Sequence, residues 1–257
     1  MDPVRHPIPG GGFRVRLTIV HLYPRDMNLY GDRGNVLALA RRAEWRSWET
    51  RVLDVEPGDP VSWTEADIVF LGGGEDRHQA WIADDLVTRG PDLSAALADG
   101  LPLLAVCGGF QLLGRAYQTQ DGRVLPGLGW FDATTRAGTR ARHVGNVVAV
   151  ATLPLAPATL VGFENHAGET VLHAGQAPLA RVTVGAGNNG RDRTEGAVRV
   201  HAVGTYLHGS LLPKNPHLAD WLLSRAQARR TGEADLSPLP DDWEWAAHRE
   251  RLAHRRA

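Results

Sequence analysis

Cys107 is the only cysteine among the 257 residues, and its surroundings suit nucleophilic chemistry. The run Leu101-Pro-Leu-Leu-Ala-Val-Cys107-Gly-Gly-Phe-Gln-Leu-Leu-Gly114 reads as an apolar strand passing into a cysteine, two glycines and an amphipathic helix. That is the layout of a nucleophile elbow, in which a sharp strand-to-helix turn exposes one side chain at the carboxyl end of a sheet. The glycines permit the tight turn and the close approach of neighbouring elements, while the helix N-terminus favours negative charge and so a thiolate. A lone cysteine is more often a small buried hydrophobe, but the strand–Cys-Gly-Gly–helix order favours the reactive reading. A single cysteine also excludes an intrachain disulfide and a Cys-based zinc cluster. The histidines form no ligand pair of credible spacing, so no metal site is expected; for His166, a turn or substrate-loop role is favoured over metal binding.

The elements that must carry the elbow follow from the hydrophobic pattern. Arg14–Leu22 is alternating and β-branched, as a strand is, and Gly34 to Trp48 places Val36, Leu39, Ala40 and Ala43 at helical spacing. Thr50–Val55 reads as a strand, and Asp67–Leu71 as a buried strand running into Gly72-Gly73-Gly74. A helix near Leu93–Ala98 leads into the elbow strand. This rhythm predicts an α/β fold with an open, mostly parallel sheet flanked by helices. After Gly122 the runs become short and β-like: Val144–Ala151, Leu160–Glu164, Ala180–Val184 and Ala197–Tyr206. Asn215-Pro216 then offers an N-cap and a first helical residue for a helix burying Leu218, Trp221, Leu222 and Ala226. We divide the chain into a Pro/Gly-rich disordered lead-in at 1–13, one domain at 14–231, and an extension at 232–257. That extension holds one short amphipathic helix, either a docking element or a solvated tail.

Composition removes several function classes. Lys and Arg total 28 against 29 Asp and Glu, a net charge of −1, which supplies no field for nucleic acid or an anionic membrane, and no basic stripe is interleaved with aromatics. No apolar run approaches the ~18 residues of a spanning helix, and the N-terminus lacks the apolar segment of a secretory signal, so a cytoplasmic protein without membrane insertion is expected. Lys214, the only lysine, stands in Leu-Pro-Lys-Asn-Pro, so no Walker A motif is present.

The elbow resembles that of the class I (triad) glutamine amidotransferases, a flavodoxin-like family whose nucleophile lies in Cys-x-Gly-x-Gln, here Cys107-Gly108-Gly109-Phe110-Gln111. The family's second signature, a His ending a late strand, corresponds to Gly204-Thr-Tyr-Leu-His208-Gly209. Most members carry a Glu two positions after that His; Ser210 stands here, as in the cobyric acid synthase branch, so an acidic third member would come from elsewhere in the chain or from another chain. The resemblance implies that Cys107 attacks the glutamine amide while His208 moves the proton. It also implies an oxyanion site formed by the amide of Gly108 with that of Gly73 or Gly74. Gln111 falls, by the same resemblance, among the substrate-binding residues.

Four further blocks narrow the resemblance: HLYPRDMNLYGDRGN from His21 to Asn35, LGGGEDRHQ from Leu71 to Gln79, GFENHAG from Gly162 to Gly168, and GAGNNG from Gly185 to Gly190. Together they are similar to the GatD family, the small subunits of lipid II isoglutaminyl synthases. That resemblance implies a heterodimer with a MurT-like Mur ligase subunit, which holds ATP and Mg and amidates D-glutamate of lipid II to D-isoglutamine with ammonia from L-glutamine. No cofactor is expected on this chain. The family's Arg-aromatic-Ile-Gly-Asp/Asn block matches Arg142-His-Val-Gly-Asn146, so glutamine carboxylate binding is carried to Arg142; His and Val in that block leave Arg140 and Arg136 open. The alternatives are the amidotransferase subunit of a cobyric-acid-type synthetase and a non-catalytic binding module on the same fold.

Overall fold

The apolar runs of the first half become the strands of one sheet in a computed structural model that describes residues 15–74, 76–138 and 141–253, with the backbone alone for 76–80. The lead-in expected at 1–13 and the candidate Arg140 lie outside the described residues. The first half runs β1 (Arg16–Leu22), α1 (Arg33–Trp45), β2 (Glu49–Val55), β3 (Ile68–Leu71), α2 (Asp76–Ala98), β4 (Leu103–Val106) and α3 (Gly108–Leu113). The β-rich middle runs β5 (Ala116–Gln118), β6 (Val124–Pro126), β7 (Ala133–Ala137), β8 (His143–Ala151), β9 (Thr159–His166), β10 (Gly168–Leu172), β11 (Ala180–Val184), β12 (Thr194–Glu195), β13 (Ala197–Arg199), β14 (Ala202–Thr205) and β15 (Leu207–His208). Three helices close the chain: α4 (Leu211–Lys214), α5 (Pro216–Thr231) and α6 (Asp242–Ala253).

The main sheet has the order β13-β14-β4-β3-β1-β2 and is parallel apart from its edge strand β13. Its central strands β3 and β4 are buried at every residue, which is why they read as continuous apolar runs rather than alternating ones. Helices α1 and α5 pack on each other and against β1–β3, whereas α2 and α3 pack together and α3 lies on β4 and β14. Of the runs after Gly122, Val144–Ala151, Leu160–Glu164 and Ala180–Val184 enter a smaller sheet, β12-β11-β8-β9-β15, which lies beside another, β10-β7-β5-β6, whereas the single strand expected at Ala197–Tyr206 is divided into the antiparallel β13 and β14 of the main sheet. Because β3 and β14 flank β4, the carboxyl ends of all three strands bring Gly72–Gly74, Cys107 and Thr205–His208 side by side. The last of these segments also changes sheet, since β14 belongs to the main sheet and β15 pairs with β9.

Two local expectations are corrected. The helix placed near Leu93–Ala98 begins at Asp76 and contains Pro91; a proline inside a helix breaks one backbone bond, here the one to Val87, an exposed position. Asn215 does occupy the N-cap position of α5, with Pro216 at the helix start, but its side chain does not cap. Its amide instead accepts from Val161 N at 3.0 Å and donates to Val161 O and Leu211 O at 2.7 Å each, fastening β9 to α4.

The C-terminal helix is packed on the domain rather than solvated. Buried Arg42 of α1 makes bidentate bonds to Asp220 of α5 and to Asp241 just ahead of α6, at 2.6–2.8 Å, and His248 bonds Thr159 and the Lys214 carbonyl. Removing one member of a buried ionic network leaves its partners uncompensated, at about 3–5 kcal/mol. Arg42→Ala is therefore expected to lower the thermal midpoint by about 10 °C, readable by calorimetry; an unchanged midpoint would contradict this account of α6.

Candidate active site

Cys107 adopts φ 50° and ψ −105° between β4 and α3, a left-handed backbone that a non-glycine residue holds only where surrounding contacts enforce it. Three contacts do so. Its amide donates to Thr205 O at 2.8 Å, its carbonyl accepts from Gln111 N, and the next turn is tied by Gly109 N to Gly72 O at 3.1 Å. Gly109 must lack a side chain, because a Cβ there would stand 2.6 Å from Leu71 O. The strained turn and the close glycine are what the elbow motif requires.

His208 ends β15, buried, with Nδ1 3.3 Å from Oδ1 of Asp32. Asp32 is wholly buried, accepting from Gly209 N at 2.9 Å on Oδ1 and from Gly73 N at 2.8 Å on Oδ2. Burial acts to lower the His208 pKa, but the Asp32 carboxylate and the Cys107 sulfur outweigh it and push it up to about 10. The Nε2 of His208 makes no hydrogen bond of good geometry, yet the Cys107 sulfur lies near enough to favour the charged form of His208; such contacts often tighten only when substrate binds. Gly73 touches the whole cluster: a Cβ on it would lie 2.9 Å from the His208 ring, 3.2 Å from Asp32 Oδ2 and 3.3 Å from Cys107 Cβ.

Asp32 was not singled out from the sequence as an acid, although it lies inside the His21–Asn35 block. An Asp one residue ahead of a helix reads as an N-cap, but its side chain makes no cap bond to α1 and turns to His208 instead. Tyr30 was missed as well. It has φ 52°, is half exposed, and sets its ring edge-on to His208 at 4.9 Å between centroids.

A cavity of about 550 Å³ opens on Cys107, within the range of small-molecule sites. Gly74, Gln111, Arg142 and His166 line it with Tyr30. Gln111 is buried and donates to the Tyr206 hydroxyl at 3.1 Å. Arg142 is exposed at the rim, held by Asn165 through bonds of 3.0 and 2.9 Å. Arg136 is not in the lining and pairs with Glu169 at 3.2 Å. His166 stacks on Tyr206 at 3.7 Å and donates Nδ1–H to Gly168 O. Of the two glycines considered for a second oxyanion donor, Gly73 gives its amide to Asp32, and Gly74 borders the cavity. Gly108 is the first residue of α3, where an amide has no intrahelical acceptor.

Residues 18–216 match the CobB/CobQ-like glutamine amidotransferase domain. The lipid II isoglutaminyl synthase (glutamine-hydrolyzing) subunit GatD of Staphylococcus aureus is 42% identical over 214 residues, 83% of this chain and 86% of the relative. Its counterpart in Streptococcus pneumoniae is 36% identical over 232 residues, 90% of this chain and 88% of the relative. A crystal structure of a glutamine amidotransferase from Thermotoga maritima superposes with a TM-score of 0.52 at 15% identity, covering 95% of this chain and 94% of that one, a likeness of fold.

Proposed function

Because this chain belongs to the CobB/CobQ-like glutamine amidotransferases and, within them, to the GatD family, we propose that it hydrolyses L-glutamine at Cys107 and passes the ammonia to a partner subunit. That partner is a MurT-like, ATP- and Mg-dependent Mur ligase that amidates D-glutamate of lipid II, in the cytoplasm, to D-isoglutamine. The observation that carries the reading is the Cys107–His208–Asp32 cluster opening on one cavity with Arg142 at its rim.

The chemistry follows from the charges. With its pKa held near 10, His208 is an imidazolium at neutral pH; the attacking form of a cysteine is the thiolate, which would pair with that imidazolium. The sulfur adds to the side-chain amide carbon of glutamine, and the negative charge moves to the carbonyl oxygen, beside the Gly108 and Gly74 amides. His208 gives its proton to the nitrogen as the C–N bond breaks, releasing ammonia and leaving a γ-glutamyl thioester on Cys107. Neutral His208 then takes a proton from water as its oxygen attacks the thioester, and glutamate departs with the thiolate–imidazolium pair restored. Asp32 holds the imidazole through Nδ1 and stabilises its charge. Arg142 offers a planar donor fork to the glutamine α-carboxylate, and Gln111 forms part of the wall that receives the substrate.

A glutamine-mimicking electrophile tests this. It is expected to label Cys107 stoichiometrically at neutral pH, with excess glutamine protecting, in a preparation that releases glutamate from glutamine. Absence of both labelling and glutamate release in the complex with the partner would favour the non-catalytic module.

A further inference from the structure

Between β14 and β15 the chain leaves one sheet for another at Tyr206. Such a crossing interrupts the ladder, and a buried amide there needs another acceptor. Glu195 of β12, wholly buried, supplies it: Oε1 accepts from Tyr206 N at 2.9 Å and from the Thr205 hydroxyl. The Thr205 hydroxyl oxygen accepts from Leu207 N at 3.0 Å, and the Thr205 carbonyl accepts from Cys107 N at 2.8 Å. One carboxylate oxygen thus fixes the residue that holds the backbone of Cys107 and the peptide that leads to His208. Its other oxygen is buried without a partner, an arrangement that is costly in itself. Burial, with the neighbouring Glu164 carboxylate, pushes the Glu195 pKa up to about 7; Oε1 accepts in either protonation state.

We propose that Glu195 is a positioning residue for glutamine hydrolysis: by fastening the crossing at Thr205–Tyr206 it sets the Cys107–His208 geometry without touching substrate. The proposal rests on reading that pair as the glutaminase centre. Its chemical content is one acceptor atom, so a side chain that keeps the acceptor replaces it and one of similar shape without it does not.

The test is steady-state glutaminase kinetics on the full chain in complex with its synthetase partner, with thermal midpoints recorded for each variant. Glu195→Met is expected to lower kcat about 100-fold while leaving the glutamine KM within about threefold, because displacing the pair weakens chemistry and not substrate binding. Glu195→Gln keeps an amide oxygen for both bonds and is expected to restore kcat to within about threefold of the parent. Should Glu195→Met fail to fold, Thr205→Val breaks the same link from the other side and Thr205→Ser restores it, with the same split between kcat and KM. Parental kcat in Glu195→Met, or in Thr205→Val where only that variant folds, overturns the proposal. So does an equal loss in Glu195→Gln, or a loss carried by KM. A parental complex that releases no glutamate overturns the glutaminase reading and this proposal with it, whereas an active parent with an equally active Glu195→Met overturns this proposal alone.

Discussion

Cys107→Ala is expected to lower glutamine hydrolysis by about 10⁶-fold, the loss seen when a covalent nucleophile is removed, with the fold and partner binding retained. Three features set the size of the effect. In the proposed reaction the Cys107 sulfur is the atom that forms the bond, and no other cysteine exists to replace it. The turn that presents it is fixed by backbone bonds, Cys107 N to Thr205 O and Gly109 N to Gly72 O, which alanine preserves. The truncation removes one sulfur from a position already bordering the cavity, so little packing is lost and the thermal midpoint should stay close to the parent's. A second signature follows from the charge coupling: the sulfur is among the groups that raise the His208 pKa, so its removal should lower that pKa, observable by histidine NMR. Glutamate release by Cys107→Ala at the parental rate would end the nucleophile assignment.

The elbow was legible in the sequence because its signal is local. A strand, Cys107, two glycines and a helix occupy consecutive positions, and the structure gives Cys107 the left-handed backbone that this order implies. The central strands of the main sheet were legible for the same reason, β3 being a short apolar run that ends at Gly72 and β4 one that follows Pro102. The residues around His208 were not. Asp32 lies 176 positions from His208, and nothing in its own neighbourhood separates a catalytic carboxylate from an N-cap. Glu195 sits on a two-residue strand and bonds residues ten and eleven positions away across a change of sheet, a feature invisible before the topology is known. The glycine-rich loop was legible, but the bond from the Gly73 amide to Asp32, just ahead of α1, was not. Asn215 shows the same limit, since the N-cap position was correct and the side chain bonds Val161 instead.

Asp32→Asn is expected to lower kcat/KM for glutamine at neutral pH by about 10²–10⁴-fold, on the pattern of triads whose carboxylate is neutralised, and to move the alkaline limb of the pH profile to lower pH. The sign follows from which groups act on His208. Burial pulls its pKa down; Asp32 and Cys107 together push it up to about 10. The parent should therefore keep its imidazolium through the neutral range and lose activity only as pH rises toward 10. With the carboxylate gone, burial meets less opposition, and the imidazolium that donates the proton to the departing nitrogen is deprotonated at lower pH. Stability follows the same direction. A histidine raised above its unfolded value of about 6.5 contributes stability that is full below that value and is lost as pH rises through about 10, so the parent's stabilisation by the pair should fade across that interval and the variant's at lower pH. Asparagine also offers a single acceptor oxygen where Gly73 N, Gly209 N and His208 now share two, so some loss of thermal stability accompanies the change. The pH limb separates the two roles, because a purely structural carboxylate would lower activity at every pH without moving it. A profile that keeps the parental limb, or parental activity in Asp32→Asn, would place the acid elsewhere, on the partner subunit; a shifted limb in both the isolated chain and the complex assigns it to this chain.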